Sequence, residues 1–236
     1  MVKKVRYQMN SERAGLDHER DLWAAGFRAI AGVDEAGRGA WAGPVVAAAV
    51  ILPSSPAALA PLLGRVDDSK RLAPAVRARA LALIEQHALA VGTGWTPAAE
   101  IDLRGIVAAT RAAMRAALAA LAVVPDFVLV DYLALPELVC PQRGIPHGDA
   151  VSLSIAAASI VAKVARDRWM AAQDELYPGY GFARHKGYGV AAHAEALARL
   201  GPCALHRRSF RPVCKSIVTP DVAACCVPAS FPGGST

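Results

Sequence analysis

The chain has 236 residues, 54% of them hydrophobic, with 26 Lys and Arg against 20 Asp and Glu. This is enough for one large domain around a sizeable core, and a net charge of +6 with a pI near 9.3 favours an acidic partner, nucleic acid first. Five scattered cysteines exclude a disulfide framework and point to a reducing compartment, the cytoplasm, while the apolar runs are too short or too broken by Gly, Pro and Arg to cross a bilayer. Cys203, His206, Cys214 and the adjacent Cys225 and Cys226 offer no Cys-x-x-Cys pair and suit a zinc site poorly. Lys3, Lys4 and Arg6 precede no apolar signal core.

In chain order, residues 1–27 read as a polar lead-in with a helix from Ser11, a candidate N-cap, to Phe27. Two strands come next, Ala29–Val33 and Pro44–Leu52, joined by a turn containing Asp34-Glu35-Ala36-Gly37-Arg38-Gly39. A Pro- and Ala-rich loop runs to about Arg65 and ends in Asp67-Asp68-Ser69-Lys70; Pro74 then opens a helix to about Ala88. A third strand is expected near Leu89–Trp95, a short helix over Ala98–Leu103, and a longer one from about Gly105 to Leu121. Phe127-Val128-Leu129-Val130 is a continuous apolar run, as in a strand buried on both faces, and it ends in Asp131. Residues 132–147 read as a loop with three prolines, Gly148-Asp149 as its end, and 152–176 as a long helix with an apolar first half. After an aromatic, basic and Gly-rich turn at 180–189 come a helix over Val190–Leu200, the basic segment His206-Arg207-Arg208-Ser209-Phe210-Arg211, and a loose tail beyond about 213.

Several of these stretches carry two readings. Asp34-Glu35 before a glycine turn is either a solvated loop or a pair of acids set beside a metal and a phosphate, with glycines leaving the main chain open to a ligand. Its Gly37-x-Gly39-x-x-x-Gly43 spacing fits neither a dinucleotide fingerprint nor a Walker loop. Lys70 is either a solvated charge at a helix entry or a phosphate ligand. Asp149 either supports the dipole of the following helix or joins a site. Tyr180–Gly189 is either a surface turn or a segment that contacts a backbone phosphate and stacks a ring on sugar or base. Lys163 and Asp167, four apart on a helix, are expected to pair.

Taken together and in order, Val33–Gly39, Asp68-Ser69-Lys70, Leu129-Val130-Asp131, Gly148-Asp149, Ala156–Asp167, His185-Lys186-Gly187-Tyr188-Gly189 and His206–Phe210 resemble the ribonuclease HII family, over roughly residues 28–213. The resemblance implies an α/β, ribonuclease-H-like fold, with a central mixed β-sheet flanked by helices and a helical C-terminal region. It places the catalytic domain at 28–213, which leaves the lead-in helix at 1–27 and the loose tail at 214–236, both read from the residues alone, outside it. It also implies an endonuclease that cuts the RNA strand of RNA–DNA hybrids and incises at single ribonucleotides in duplex DNA, leaving 5′-phosphate and 3′-hydroxyl ends. Its four active-site acids fall on Asp34, Glu35, Asp131 and Asp149. Gly37-Arg38-Gly39 matches the main-chain contact to the ribose 2′-hydroxyl, Tyr188 the ring on the next sugar, and Lys70 a phosphate contact. One departure stands out: Tyr132 follows Asp131, where many relatives have glycine.

The chemistry is consistent with that set. Phosphodiester hydrolysis needs activated water, charge stabilisation and an assisted leaving oxygen, which two divalent ions (Mg²⁺ or Mn²⁺) supply. Four carboxylates from three segments suit them, so no separate histidine base is expected and Asp167 is left to Lys163. A junction resolvase or integrase-like nuclease would share the acids but not the Gly-Arg-Gly and His-Lys-Gly-Tyr-Gly turns. A binding protein with a dead site leaves the acids without purpose, because carboxylates without metal weaken phosphate binding. A monomer is expected.

Overall fold

The computed structural model describes residues 13–216; the expected cap Ser11 and most of the expected tail lie outside the described residues. The elements are α1 (Asp17–Ala24), β1 (Ile30–Ala36), β2 (Val45–Ile51), α2 (Pro56–Leu59), α3 (Pro74–His87), β3 (Ala90–Thr96), α4 (Ala98–Arg104), α5 (Ile106–Ala119), β4 (Phe127–Asp131), β5 (Gln142–Ile145), a 3₁₀ turn (Gly148–Ala150), α6 (Leu153–Leu176), α7 (Phe182–His185), α8 (Ala191–Leu200) and α9 (Arg211–Ser216).

The five strands lie in the order β3-β2-β1-β4-β5. β1 pairs antiparallel with β2 and β2 with β3, whereas β1–β4 and β4–β5 are parallel, so the sheet is mixed. β2 is buried at every position and its residues are all apolar, which is what a strand covered on both faces requires. Alternation then sorts the side chains. Ala48 and Val50 join α3 and α6 in one core layer, while Ala31, Val33, Ala47, Ala49, Val128 and Val130 meet α5 in the other.

Helix α6 anchors both the acid-bearing strands and the turns packed beside them. Ser152 caps it by accepting a hydrogen bond from the Ile155 amide, and its apolar first half is wholly buried. It lies so close to β1 that a Cβ on Gly32 would stand 2.1 Å from the Ser154 main chain; only glycine fits that crossing. From the other side Glu19 of α1 is 1% exposed and accepts from the Ser152 hydroxyl, the Ser154 amide and the Ser154 hydroxyl at 2.6, 2.9 and 2.6 Å. The lead-in is thereby tied to the N-terminus of α6, where a carboxylate also meets the positive end of the helix dipole.

Four expectations need correction. The segment 132–147 is not all loop, because Gln142–Ile145 forms edge strand β5. β1 does not stop at Val33 but runs through the acid doublet to Ala36. Single helical turns, α2 and α7, occupy parts of the expected loops at 53–65 and 180–189. Residues 214–216, where the expected tail begins, close helix α9 instead.

Candidate active site

The acids collect at one end of the sheet. Asp34 lies within β1, 3% exposed, with Oδ1 accepting the Glu35 amide at 2.7 Å. Asp131 ends β4, and one further step of the β1–β4 register sets it beside Asp34. Its Oδ1 accepts the Gly148 amide at 2.7 Å, so the strand end holds the 3₁₀ turn that carries Asp149, itself 5% exposed. Because β1 continues past the doublet, alternation places Asp34 on the α6 face and starts Glu35 from the α5 face. Glu35 is half-buried and lies 3.8 Å from Arg38.

Charge in this group is crowded. Burial, then Glu35, then Asp131 push the Asp34 carboxyl well above its ordinary range, against a hydrogen bond from Ser159 of α6. Burial raises Glu35 against the pull of Arg38, with Asp131 adding to the rise. Asp131 is raised by burial and by Asp149, opposed by the Gly148 amide. Lys70 answers part of this. Its Nζ lies 3.2 Å from Asp149 Oδ2, and although burial works against its charge, Asp149 and Asp34 raise its pKa overall. Its loop is fixed from beneath: Arg77 of α3 donates to the carbonyls of Ser69 and Leu72 at 2.9 Å each, and the Ser69 and Ser159 hydroxyls bond at 2.9 Å.

Such a donor set suits a hard divalent cation, whose charge would reverse the mutual repulsion. Among the described residues no three His, Cys, Asp or Glu side chains close on one point. Mg²⁺-like ions keep several waters and take only one or two carboxylates plus substrate phosphate oxygens.

Beside the acids, Gly37–Ala40 is a tight turn closed by the Ala40 amide on the Gly37 carbonyl at 3.2 Å. Gly37 has φ +89°, and a Cβ there would lie 1.9 Å from Arg166 Nε. Gly39 is exposed, and a Cβ there would meet nothing within 4 Å. Tyr188 is half-buried, its ring faced by Lys163 Nζ at 5.3 Å and Arg166 at 5.1 Å, both within cation–π reach. All nine residues singled out from the sequence therefore border one end of the sheet or the turns packed against it. Lys163 and Asp167 pair at 2.7 Å, and Asp167 also lies 3.6 Å from Arg77.

Sequence reasoning missed the two arginines beneath these turns, Arg166 and Arg207, both 0% exposed. Arg166 donates to the carbonyls of Pro44, Lys186 and Ala42 at 2.9, 2.9 and 3.0 Å. Arg207 donates to those of Gly43, Arg38 and Gly37 at 3.0, 2.9 and 2.7 Å. The available signal was an arginine inside an apolar helix face and another in a basic segment beside a phenylalanine. Ser159 and Arg77 were missed as well. Three non-glycine residues adopt left-handed backbone beside the site: Tyr132 after Asp131 (φ 57°), His147 before Gly148-Asp149 (φ 55°) and Lys186 before Gly187-Tyr188 (φ 53°). Tyr132 thus keeps the backbone that glycine takes most cheaply.

A mixed five-stranded sheet with helices on both faces is the ribonuclease-H-like architecture, and the acids gather where β1 and β4 end. The ribonuclease HII family pattern matches residues 31–213. The chain is 52% identical over 204 residues to ribonuclease HII of Chloroflexus aurantiacus, covering 86% of this chain and 96% of that protein. It is 56% identical over 196 residues to ribonuclease HII of Geobacillus kaustophilus, covering 83% and 73%. Among solved structures, the ribonuclease H2 of Pyrococcus horikoshii superposes with a TM-score of 0.66 at 24% identity, over 79% of this chain and 96% of that one, a likeness of fold. The chain belongs to the ribonuclease HII family and is a ribonuclease H, a nucleic-acid hydrolase.

Proposed function

We propose that this enzyme cuts the RNA strand of RNA–DNA hybrids and incises duplex DNA at single embedded ribonucleotides, using two divalent ions, Mg²⁺ or Mn²⁺, and leaving 5′-phosphate and 3′-hydroxyl ends. The observation that carries this reading is the meeting, at the end of β1, of a crowded acid group with a glycine turn whose central amides are unengaged among the described residues. Asp34, Glu35, Asp131 and Asp149 would hold the ions. When bound, these would supply activated water, positive charge against the negative charge that builds on the phosphate, and support for the leaving oxygen.

The chain's own residues select the substrate. Within a DNA duplex only the 2′-hydroxyl marks a ribonucleotide, and the Gly37-Arg38-Gly39 main chain can approach it because no side chain stands on Gly39. The Tyr188 ring, faced by Lys163 and Arg166, packs on the neighbouring sugar. Lys70 exchanges Asp149 for a backbone phosphate. Residues 28–213 form the catalytic unit, working as a monomer in the cytoplasm to remove ribonucleotides left in DNA by replication.

The test is incubation with a duplex carrying one ribonucleotide, an all-DNA duplex and a long RNA–DNA hybrid, in Mg²⁺ or Mn²⁺, with a chelator and Asp34→Asn as controls. A single cut on the 5′ side of the ribonucleotide, lost in both controls, is expected. Cutting of the long hybrid alone would remove Gly37–Gly39 and Tyr188 from their assigned roles.

A further inference from the structure

The carbonyls of Gly37 and Arg38 both point inward, onto one guanidinium. In a planar trans peptide the C=O and the following N–H point in opposite directions. Anchoring these two carbonyls on Arg207 therefore turns the Arg38 and Gly39 amides outward, and among the described residues neither amide donates a hydrogen bond. Arg207 is an unusual anchor. It is fully buried, its three bonds go to neutral carbonyls, and no described carboxylate lies within ion-pair distance. Ordinary packing would fill such a place with an apolar side chain.

Its own position is set by a residue on a different element. Asp102 of α4 accepts the amides of Arg208 and Ser209 at 2.8 Å each and the Ser209 hydroxyl at 2.5 Å. The Arg207 amide donates to the Trp41 carbonyl at 2.8 Å, and its guanidinium lies over the Phe210 ring at 5.1 Å. The segment 207–210 is thus pinned at both ends and aims one side chain at the turn. We propose that Arg207, held by Asp102, is a positioning residue for ribonucleotide discrimination: it fixes the Gly37–Gly39 turn with its amides presented to the 2′-hydroxyl. This rests on the reading that those amides contact the ribose. Lysine would not substitute, because an ammonium cannot spread the planar fork that reaches Gly37, Arg38 and Gly43 together.

The experiment measures affinity for a duplex with one ribonucleotide and for the same all-DNA duplex, with Ca²⁺ in place of Mg²⁺ so that binding is read apart from cutting. The wild type should prefer the ribonucleotide by about fivefold, the range of one or two net hydrogen bonds. Arg207→Lys should bring that ratio near one while all-DNA affinity stays within about twofold. Asp102→Ala, on a half-buried surface position, should move the ratio in the same direction by less, and it decides alone if Arg207→Lys does not fold. A merely structural role would lower both affinities or neither. A preserved ratio in folded variants overturns the proposal and leaves the turn's contact standing. A ratio of one in the wild type removes the contact itself, and the proposal with it.

Discussion

Two groups of buried charge lie within one end of this molecule, and they are built on opposite rules. Arg166 and Arg207 are fully buried, yet each has three donors satisfied by carbonyls, and each fixes a turn drawn from distant sequence. Asp34, Glu35 and Asp131 are buried to different degrees, repel one another, and are left with single amides, one serine and two partly exposed cations as partners. In the first arrangement every guanidinium nitrogen has a partner. The second is held out of balance by the fold around it, an imbalance that a bound cation would relieve.

The largest effect should come from removing one member of the unbalanced group. Asp34→Asn is expected to lower cutting on the order of a thousandfold, since ion binding and charge stabilisation fail together. The same change relieves repulsion, so the metal-free protein should melt higher, by about 2–4 °C for each kcal/mol gained in a chain of this size. Calorimetry of both proteins in chelator checks it; a lower melting temperature for the variant would mean the acids are not strained against each other.

Next comes the turn that joins the two groups. Gly37→Ala must move the Arg166 side chain and hold φ +89° with a Cβ present, at a cost of about 2–3 kcal/mol. Gly39→Ala enters open space and should leave stability within about 0.5 kcal/mol. If the substrate approaches there, cutting at a single ribonucleotide still falls, by about fivefold for a lost contact to the 2′-hydroxyl. Unchanged cutting by Gly39→Ala would place the ribose elsewhere.

These two groups also differ in how far the sequence reveals them. The acids stand at the ends of apolar runs, and a run such as Phe127–Val130 announces both its strand and the position of Asp131. β5 could not be read this way: it is four residues long, mostly exposed, and sits on the sheet edge where no alternation is imposed. The reach of β1 through Asp34 and Glu35 was hidden because carboxylates break the apolar pattern that marks a strand. Arg207 meets carbonyls 164 to 170 residues away in sequence, and no local periodicity encodes a partner at that separation. A buried arginine looks like a surface one until its neighbours are known.

Acidity pulls the two regions in opposite senses. The raised carboxyls take up protons more readily folded than unfolded, so their contribution is complete below about pH 4 and is lost as pH rises through their folded values. Behind the turn, His193 and His206 share a 3.1 Å bond between their Nε2 atoms, and burial, with His193 adding, pushes His206 down to about 3. Its contribution is complete above the ordinary histidine value near 6.5 and is lost as pH falls toward 3. Melting curves should therefore show Mg²⁺ raising the midpoint at pH 7 more than at pH 4. The Asp34→Asn protein should lose most of the decline above pH 4 and keep the decline below 6.5.

The smallest expected effect tests where the unbalanced group ends. Asp167 lies on α6 one turn past Lys163, on the helix that packs against β1. Its Oδ1 takes Lys163 at 2.7 Å and its Oδ2 faces Arg77 at 3.6 Å, so it belongs with the paired charges. Through Arg77 it also steadies the loop that carries Lys70. Asn at this position keeps an oxygen for Lys163 and gives up only the charge, so Asp167→Asn should stay within about threefold of full activity, the worth of a partly exposed ion pair. A loss approaching that of Asp34→Asn would move Asp167 across the boundary and make the α6 face, rather than the strand ends alone, part of the ion-holding group.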